Sequence, residues 1–332
     1  MVCIAHAAAR RLAGQWECSA MQVIRSIRRS APQASGCVLT IGNFDGLHLG
    51  HQAVIERVRA RGQELGVPAA LMTFEPAPRA FFMPDDPPPR LSSLHEKMAD
   101  AAMLGIDIFV RARFDRDFAN LSPQAFLDDL IDRRLGARAI LVGHDFRFGH
   151  RRAGDVDTLK AFAAERDIEL LPVPDVCVDG ARVSSTRVRH ALQDGEVETA
   201  ARLLGRPYRV NERVVGGEQL GRTLGFPTAN LRLRRPAALR YGVYAVAVWL
   251  ADGREYAGAA SFGVRPAVNG REELLEIYLL DFAGDLYGQR IDVSFQYFVR
   301  PEENYDSLDA LTQQMHQDVA EVRRLLIKPS SP

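Results

Sequence analysis

His48 and His51 stand three residues apart in the stretch LTIGNFDGLHLGHQAVI, residues 39–55. A short apolar run ends there in Gly42, Asn43, Phe44, Asp45 and Gly46, and Gly50 lies between the histidines. On a helix, positions i and i+3 share one face. In the first turn of a helix, free backbone N–H groups and the helix dipole already favour an anion. Two imidazoles placed there can donate to phosphate oxygens and to the charge that grows during phosphoryl transfer. The glycines let the backbone approach a nucleotide closely. The spacing is not the GxGxxG of dinucleotide-binding turns. A lone histidine here would read as a cap or a surface residue; two, directly after a strand and a glycine turn, point to function.

A second group lies far downstream. Glu276 interrupts the apolar run LLEIYLLDF, residues 274–282. By pattern alone it is a polar residue breaking an apolar strand, which an outward-facing charge on an alternating strand would explain. The stretch GGEQLGRT, 216–223, is one residue from a phosphate-binding P-loop, with Arg222 where lysine belongs. A P-loop must open a helix. Here LGFPTANL follows, and Pro227 with Gly221 and Gly225 forbids one. The stretch VSSTRVR, 183–189, taken alone, reads as a helix N-cap.

These residues need elements to hold them. Strands are expected at 37–46 with its turn, 68–78, 106–114, 137–143 and 168–176; helices at 48–66, 93–105, 122–136 and 155–167. Residues 84–90, PDDPPPR, form a loop. This alternation predicts an α/β, doubly wound parallel sheet with helices on both faces. Ligands of such sheets bind beyond the carboxyl ends of the strands. The glycine-rich stretches at 42–51 and 143–154 both fall there. Two short helices follow over 184–206, and then strand-like segments with hairpin signals predict an antiparallel β-barrel. A helix at 307–326 closes the series. The domain boundary is expected between 204 and 205, giving units of 21–204 and 205–328.

Composition narrows the partners. The 332 residues carry 42 Lys+Arg against 42 Asp+Glu, so no basic excess marks a nucleic-acid binder. No apolar run is long enough to cross a bilayer. The four cysteines, Cys3, Cys18, Cys37 and Cys177, form no CxxC, which argues against a zinc site or a disulfide framework and for a reducing, cytoplasmic compartment. Residues 1–20 are rich in Arg and Ala without a clean apolar core, and are expected to be a disordered extension or the product of an upstream start codon.

GNFDGLHLGH resembles the HxGH signature of the nucleotidylyltransferase superfamily. More narrowly, it is similar to the adenylyltransferase module of bacterial bifunctional riboflavin kinase/FAD synthetases. TFEPAP (73–78), GHDFRFGHRRAG (143–154) and VSSTRVR match that family in order, and GRTLGFPTAN (221–230) with YGVYAV, LYG and VRPEENY resembles its riboflavin kinase half. The likeness runs from about Met21 to Leu326.

The resemblance implies two reactions: riboflavin and ATP give FMN and ADP, and FMN and ATP give FAD and pyrophosphate. It assigns His48 and His51 to the triphosphate, and Gly42, Asn43, Phe44, Asp45, Gly50, Gly143, Asp145, Ser184, Ser185, Thr186 and Arg189 to ATP, with Arg187 an alternative to Arg189. Phe74, Pro76, Phe114, Phe146 and Phe148 would line the flavin. In the kinase half it assigns Gly217, Gly221, Arg222, Gly225, Phe226, Pro227, Arg300 and Glu302 to ATP and flavin, Thr228 and Asn230 to Mg2+ bound with ATP, and Glu276 to the general base. It implies no tightly bound organic cofactor and leaves room for a weak homo-oligomer. His144, Ser261 and Ala267 depart from the family pattern. A monofunctional FAD synthetase with an impaired kinase half, or a non-catalytic flavin carrier, are the rival readings; a carrier needs no general base.

Overall fold

The computed structural model describes residues 21–173, 175–217, 224–233, 236–267 and 270–327. By their contacts these fall into two compact units. One comprises residues up to Pro88 together with Ser92–Val183; the other comprises Pro89–Leu91 and the chain from Ser184.

In the first unit six strands form one parallel sheet: β1 (Gln22–Ile24), β2 (Cys37–Ile41), β3 (Ala69–Glu75), β4 (Ile108–Arg113), β5 (Ala137–Val142) and β6 (Glu169–Pro172), in the order β1-β4-β3-β2-β5-β6. Alternate residues feed two cores, as the two-residue period of a strand requires. Leu39, Met72, Val110 and Ile140 face one core, while Val38, Leu71, Phe109 and Leu141 face the other. Helices α1 (Leu49–Leu65) and α2 (Leu94–Met103) cover the second face. Helix α3 (Val156–Glu165) and the segment 126–134 cover the first. The strand order reverses direction at β2, so the turns after β2 and β5 open at the switch point where such sheets bind ligands. A two-stranded hairpin, β7 (Cys177–Val178) and β8 (Ala181–Arg182), ends this unit.

One predicted helix takes another form. After a single turn at Pro123–Ala125, Phe126–Arg134 is a π-helix. Its buried residues Phe126, Leu127, Leu130 and Ile131 form a stripe that an α-helix would also bury, so the apolar pattern alone does not distinguish the two forms.

The second unit begins with α4 (Ser185–Gln193) and α5 (Val197–Leu204). Six antiparallel strands then close a barrel: β9 (Tyr208–Val215), β10 (Thr228–Arg232), β11 (Gly242–Trp249), β12 (Glu255–Ala267), β13 (Gly270–Leu279) and β14 (Arg290–Pro301), in the order β10-β13-β12-β11-β14-β9. Closure leaves no unpaired edge. Helix α6 (Leu308–Leu326) packs on the outer face, where Val319 and Val322 meet Ala245, Ala259, Tyr278 and Leu280. The described cysteines are unpaired, and burial pushes the Cys37 thiol up to about 12.

Candidate active sites

The loop after β2 is held from below. Gly42 N–H donates to Met72 O, tying the loop to β3. The carbonyl of Asn43 accepts from Lys97 Nζ at 2.6 Å and from Thr73 Oγ1 at 3.0 Å. The Asp45 carboxylate is buried and accepts from Ser92 N–H at 3.1 Å, while Gly46 N–H donates to Ser92 Oγ. Phe44 and Leu47 adopt left-handed backbone with φ of +46° and +44°, uncommon for residues with side chains. The polar backbone and carboxylate groups of Asn43 and Asp45 thus serve the loop's own shape.

The histidines are close, but whereas the sequence placed both in the first turn of a helix, only His51 is helical. His48 precedes α1 as its N-cap, and its Nδ1 accepts from His51 N–H at 3.4 Å. One of the helix's unpaired donors is satisfied this way. The two rings stack with centroids 3.7 Å apart and 17° between planes, and Phe44 lies 5.0 Å from His51. Gly50 is required for this: a Cβ there would lie 3.2 Å from the His48 ring. His51 Nδ1 is buried with no hydrogen-bond partner among the described residues. Burial, then the His48 and Lys97 charges, hold the His51 imidazole well below its ordinary value, so it is neutral near pH 7.

The aromatic residues form a continuous run of ring contacts, Phe74–Phe118–Phe126–Phe148–Phe146, with Phe114 packed on Phe74 and Phe118. Phe148 is a core residue, locked by paired backbone bonds with Gly154. Phe81 and Phe82, which the sequence reading did not single out, extend the cluster from Phe114. They sit on a one-turn helix, Pro78–Phe82, just past Pro76. Asp145 lies over Gly143, where a Cβ would meet its Oδ1 at 2.9 Å. His144 lies between them in the same loop.

Ser184, Ser185, Thr186 and Arg189 belong to the second unit by contact. Ser184 caps α4, its Oγ accepting from Arg187 N–H, and Ser185 and Thr186 fill the first turn. Arg189 Nε donates to Pro89 O at 2.7 Å.

The barrel's candidate site is built from backbone register. Asn230 on β10 pairs directly with Glu276 on β13, Thr228 with Tyr278, and Ser261 on β12 flanks Glu276 from the other side. Leu275 and Ile277 are fully buried, so Glu276 points away from the barrel interior. It is nevertheless covered. It lines a cavity of about 620 Å³ with Thr228, Ser261, Arg300, Glu302 and Asp318. Asn230 Oδ1 is buried with no hydrogen-bond partner among the described residues, and a Cβ on Gly217 would come within 2.5 Å of its amide. Phe226, between Gly225 and Pro227, packs on Tyr278 and His316. Arg300 makes a two-pronged bond to Asp318 of α6, Nε–Oδ1 at 2.8 Å and Nη2–Oδ2 at 2.7 Å, which holds its guanidinium above the ordinary range. The Glu302 carboxylate lies against the Gly263 backbone, and a side chain at Gly263 would displace it. Asp318 was not visible as a site residue in the sequence. Gly221 and Arg222 lie outside the described residues, and the side chain of Ala267 lies outside them too. Among the described residues, no cluster of three or more His, Cys, Asp and Glu is placed to hold a metal.

Known proteins share both halves. Residues 30–187 match the family model described as FAD synthetase, and residues 204–326 the one described as riboflavin kinase. A Pseudomonas fluorescens protein is 44% identical over 92% of this chain and 98% of its own length. One from Escherichia coli is 43% identical over 93% of this chain and 100% of its own, and one from Haemophilus influenzae 40% over 90% and 97%. All three are named bifunctional riboflavin kinase/FMN adenylyltransferase. A solved structure described as a macrolide-efflux protein from Streptococcus pneumoniae is 31% identical, with a TM-score of 0.80 over 91% of this chain and 98% of its own. Among the described residues no helix is long and apolar enough to cross a membrane. With two catalytic halves matched end to end at this identity, the chain belongs to the bifunctional riboflavin kinase/FMN adenylyltransferase family.

Proposed function

We propose that this chain phosphorylates riboflavin to FMN in its barrel and adenylylates FMN to FAD in its parallel-sheet domain. The observation that carries the reading is Glu276 on a cavity wall, with Asn230 its direct partner across the strands, in a chain that also holds the His48–His51 stack at a helix start. Glu276 takes the proton of the ribityl hydroxyl as that oxygen attacks the γ-phosphorus of ATP, and ADP leaves. In the other domain an FMN phosphate oxygen attacks the α-phosphorus, and pyrophosphate leaves. His48 and His51 steady the triphosphate and the charge on the five-coordinate phosphorus.

Domains of this kind use ATP with a divalent metal, and we assign Mg2+ here. Thr228 and Asn230 fit it. Both offer neutral oxygens, the Asn230 oxygen is buried and unbonded, and magnesium completes its shell with water and phosphate oxygens. The metal would neutralise phosphate charge at the kinase site. Residues 21–204 are assigned to adenylyl transfer and 205–328 to the kinase; the two family matches support this division. Ser184–Arg189 are assigned to ATP phosphates, and Phe74, Pro76, Phe114 and Phe146 to flavin, with Phe148 supporting them from the core. We place the enzyme in the cytoplasm with free riboflavin, FMN, FAD and ATP as its partners, and with at most weak self-association.

Incubation of the chain with riboflavin and Mg-ATP, followed by chromatography over time, tests the reading. FMN should rise first and FAD after it. FAD from added FMN without any FMN from riboflavin would overturn the kinase half; FMN without FAD would overturn the other.

A further inference from the structure

We propose that Lys97 is a positioning residue for adenylyl transfer, holding the Gly42–Leu47 loop in the shape that sets the His48–His51 pair. The inference rests on the adenylyl-transfer reading of that pair.

Lys97 is only 2% exposed and sits on the buried face of α2 together with Glu96, Asp100 and Ala101. An ammonium is costly to bury unless it is paired and hydrogen-bonded. A buried lysine that spends its donors on a loop carbonyl therefore has a task beyond filling space. Its Nζ donates to Asn43 O at 2.6 Å and to Thr73 Oγ1 at 3.2 Å, and the Thr73 hydroxyl donates to the same carbonyl. One carbonyl of the loop is thus gripped from a helix and from a strand. Immediately after it, Phe44 is forced to a φ of +46°, and Leu47 to +44°. Strained backbone persists only where its surroundings over-determine it. Phe44 in that conformation lies against the His51 ring, and Leu47 leads directly into the His48 cap. Ser92 supplies a second, neutral hold at Asp45 and Gly46. The Lys97 hold differs in being charge-assisted, which makes it the stronger of the two.

The test compares Lys97→Met, Lys97→Arg, Thr73→Val and His48→Ala in the full chain. FMN-to-FAD kinetics are measured, with a circular dichroism melt of each variant as the control for folding and riboflavin phosphorylation as the control for enzyme concentration. Lys97→Met should lower kcat for FAD formation on the order of 10²-fold with KM for FMN little changed, the size expected when reacting groups shift by about an ångström. Lys97→Arg, which can still donate to Asn43 O, should recover part of that loss. Thr73→Val, which removes one of the two donors, should lose less than Lys97→Met. Wild-type kcat in Lys97→Met overturns the proposal. So does a loss matched by KM, or by an equal loss of phosphorylation. Should Lys97→Met fail to fold, an unchanged kcat in Thr73→Val overturns it instead. If His48→Ala makes FAD normally, the reading of the histidine site fails; if His48→Ala abolishes FAD and Lys97→Met does not lower it, only the Lys97 inference fails.

Discussion

Asn230 and Glu276 are direct partners across the β10–β13 ladder, so an amide oxygen and a carboxylate are set side by side by backbone hydrogen bonds of a closed barrel. Groups placed on strands keep their separation better than groups on loops, which favours a site that must align a phosphate and a hydroxyl.

Glu276→Gln keeps the shape of that pair and removes the base. Riboflavin phosphorylation should fall about 10²- to 10⁴-fold, the usual yield of a positioned acid–base group. Conversion of added FMN to FAD should be unchanged. Parallel assays of the two half-reactions decide it, and loss of both would argue that the sites are not separate.

His48→Ala removes a cap and a ring proposed to face phosphate. Loss of the cap costs about 1 kcal/mol, so the domain should remain folded. FMN should accumulate from riboflavin while FAD does not form. Chromatography of the product mixture, beside a circular dichroism melt, separates the two effects.

His51 should make the fold acid-sensitive. Burial holds its folded value well below the ordinary one, while in the unfolded chain it ionises near 6.5. Below about pH 6.5 the unfolded chain takes a proton that the folded chain refuses. This contribution to stability is therefore steady above that pH and falls as pH drops through it, by up to about 1.4 kcal/mol per pH unit. Urea midpoints of wild type and His51→Gln at pH 7.5 and 5.5 should show a smaller acid loss in the variant. Equal losses would count against a neutral, buried His51.

Asp318→Ala should detach α6 from β14. Arg300, partly buried, would keep only the longer contact to Glu303 among its carboxylate partners, a loss on the order of 1 to 3 kcal/mol. Because both residues line the Glu276 cavity, KM for riboflavin or ATP in the kinase assay should rise, with FMN adenylylation spared. Replacing both by apolar residues, Arg300→Met with Asp318→Leu, should restore much of the stability without restoring KM.

Strands and helices of the sheet domain were readable because apolar runs alternate with 3.6-period segments and glycine stops. The histidines were readable because HxGH sits directly after such a run. Lys97 was not, since one lysine on an amphipathic helix looks like a mismatch; its meaning appears only when Asn43, 54 residues away, is folded against it. Asp45 looked like a ligand-facing carboxylate and is bound to Ser92, 47 residues on. The Arg300–Asp318 bond joins a strand to a helix and leaves no local pattern. The π-helix at Phe126–Arg134 satisfies the same apolar residues as an α-helix would, at a spacing the sequence permits but does not demand.

Helix α6 supplies Leu311, Met315 and Asp318 to the kinase cavity, yet it follows every barrel strand along the chain. Strands β9–β14 leave the ribosome before it does. A nascent barrel can therefore close its ladder, with Glu276 and Asn230 already paired, while that wall of the cavity has not been made. The cavity is thus completed only after the barrel strands have been made, when α6 docks and Asp318 meets Arg300.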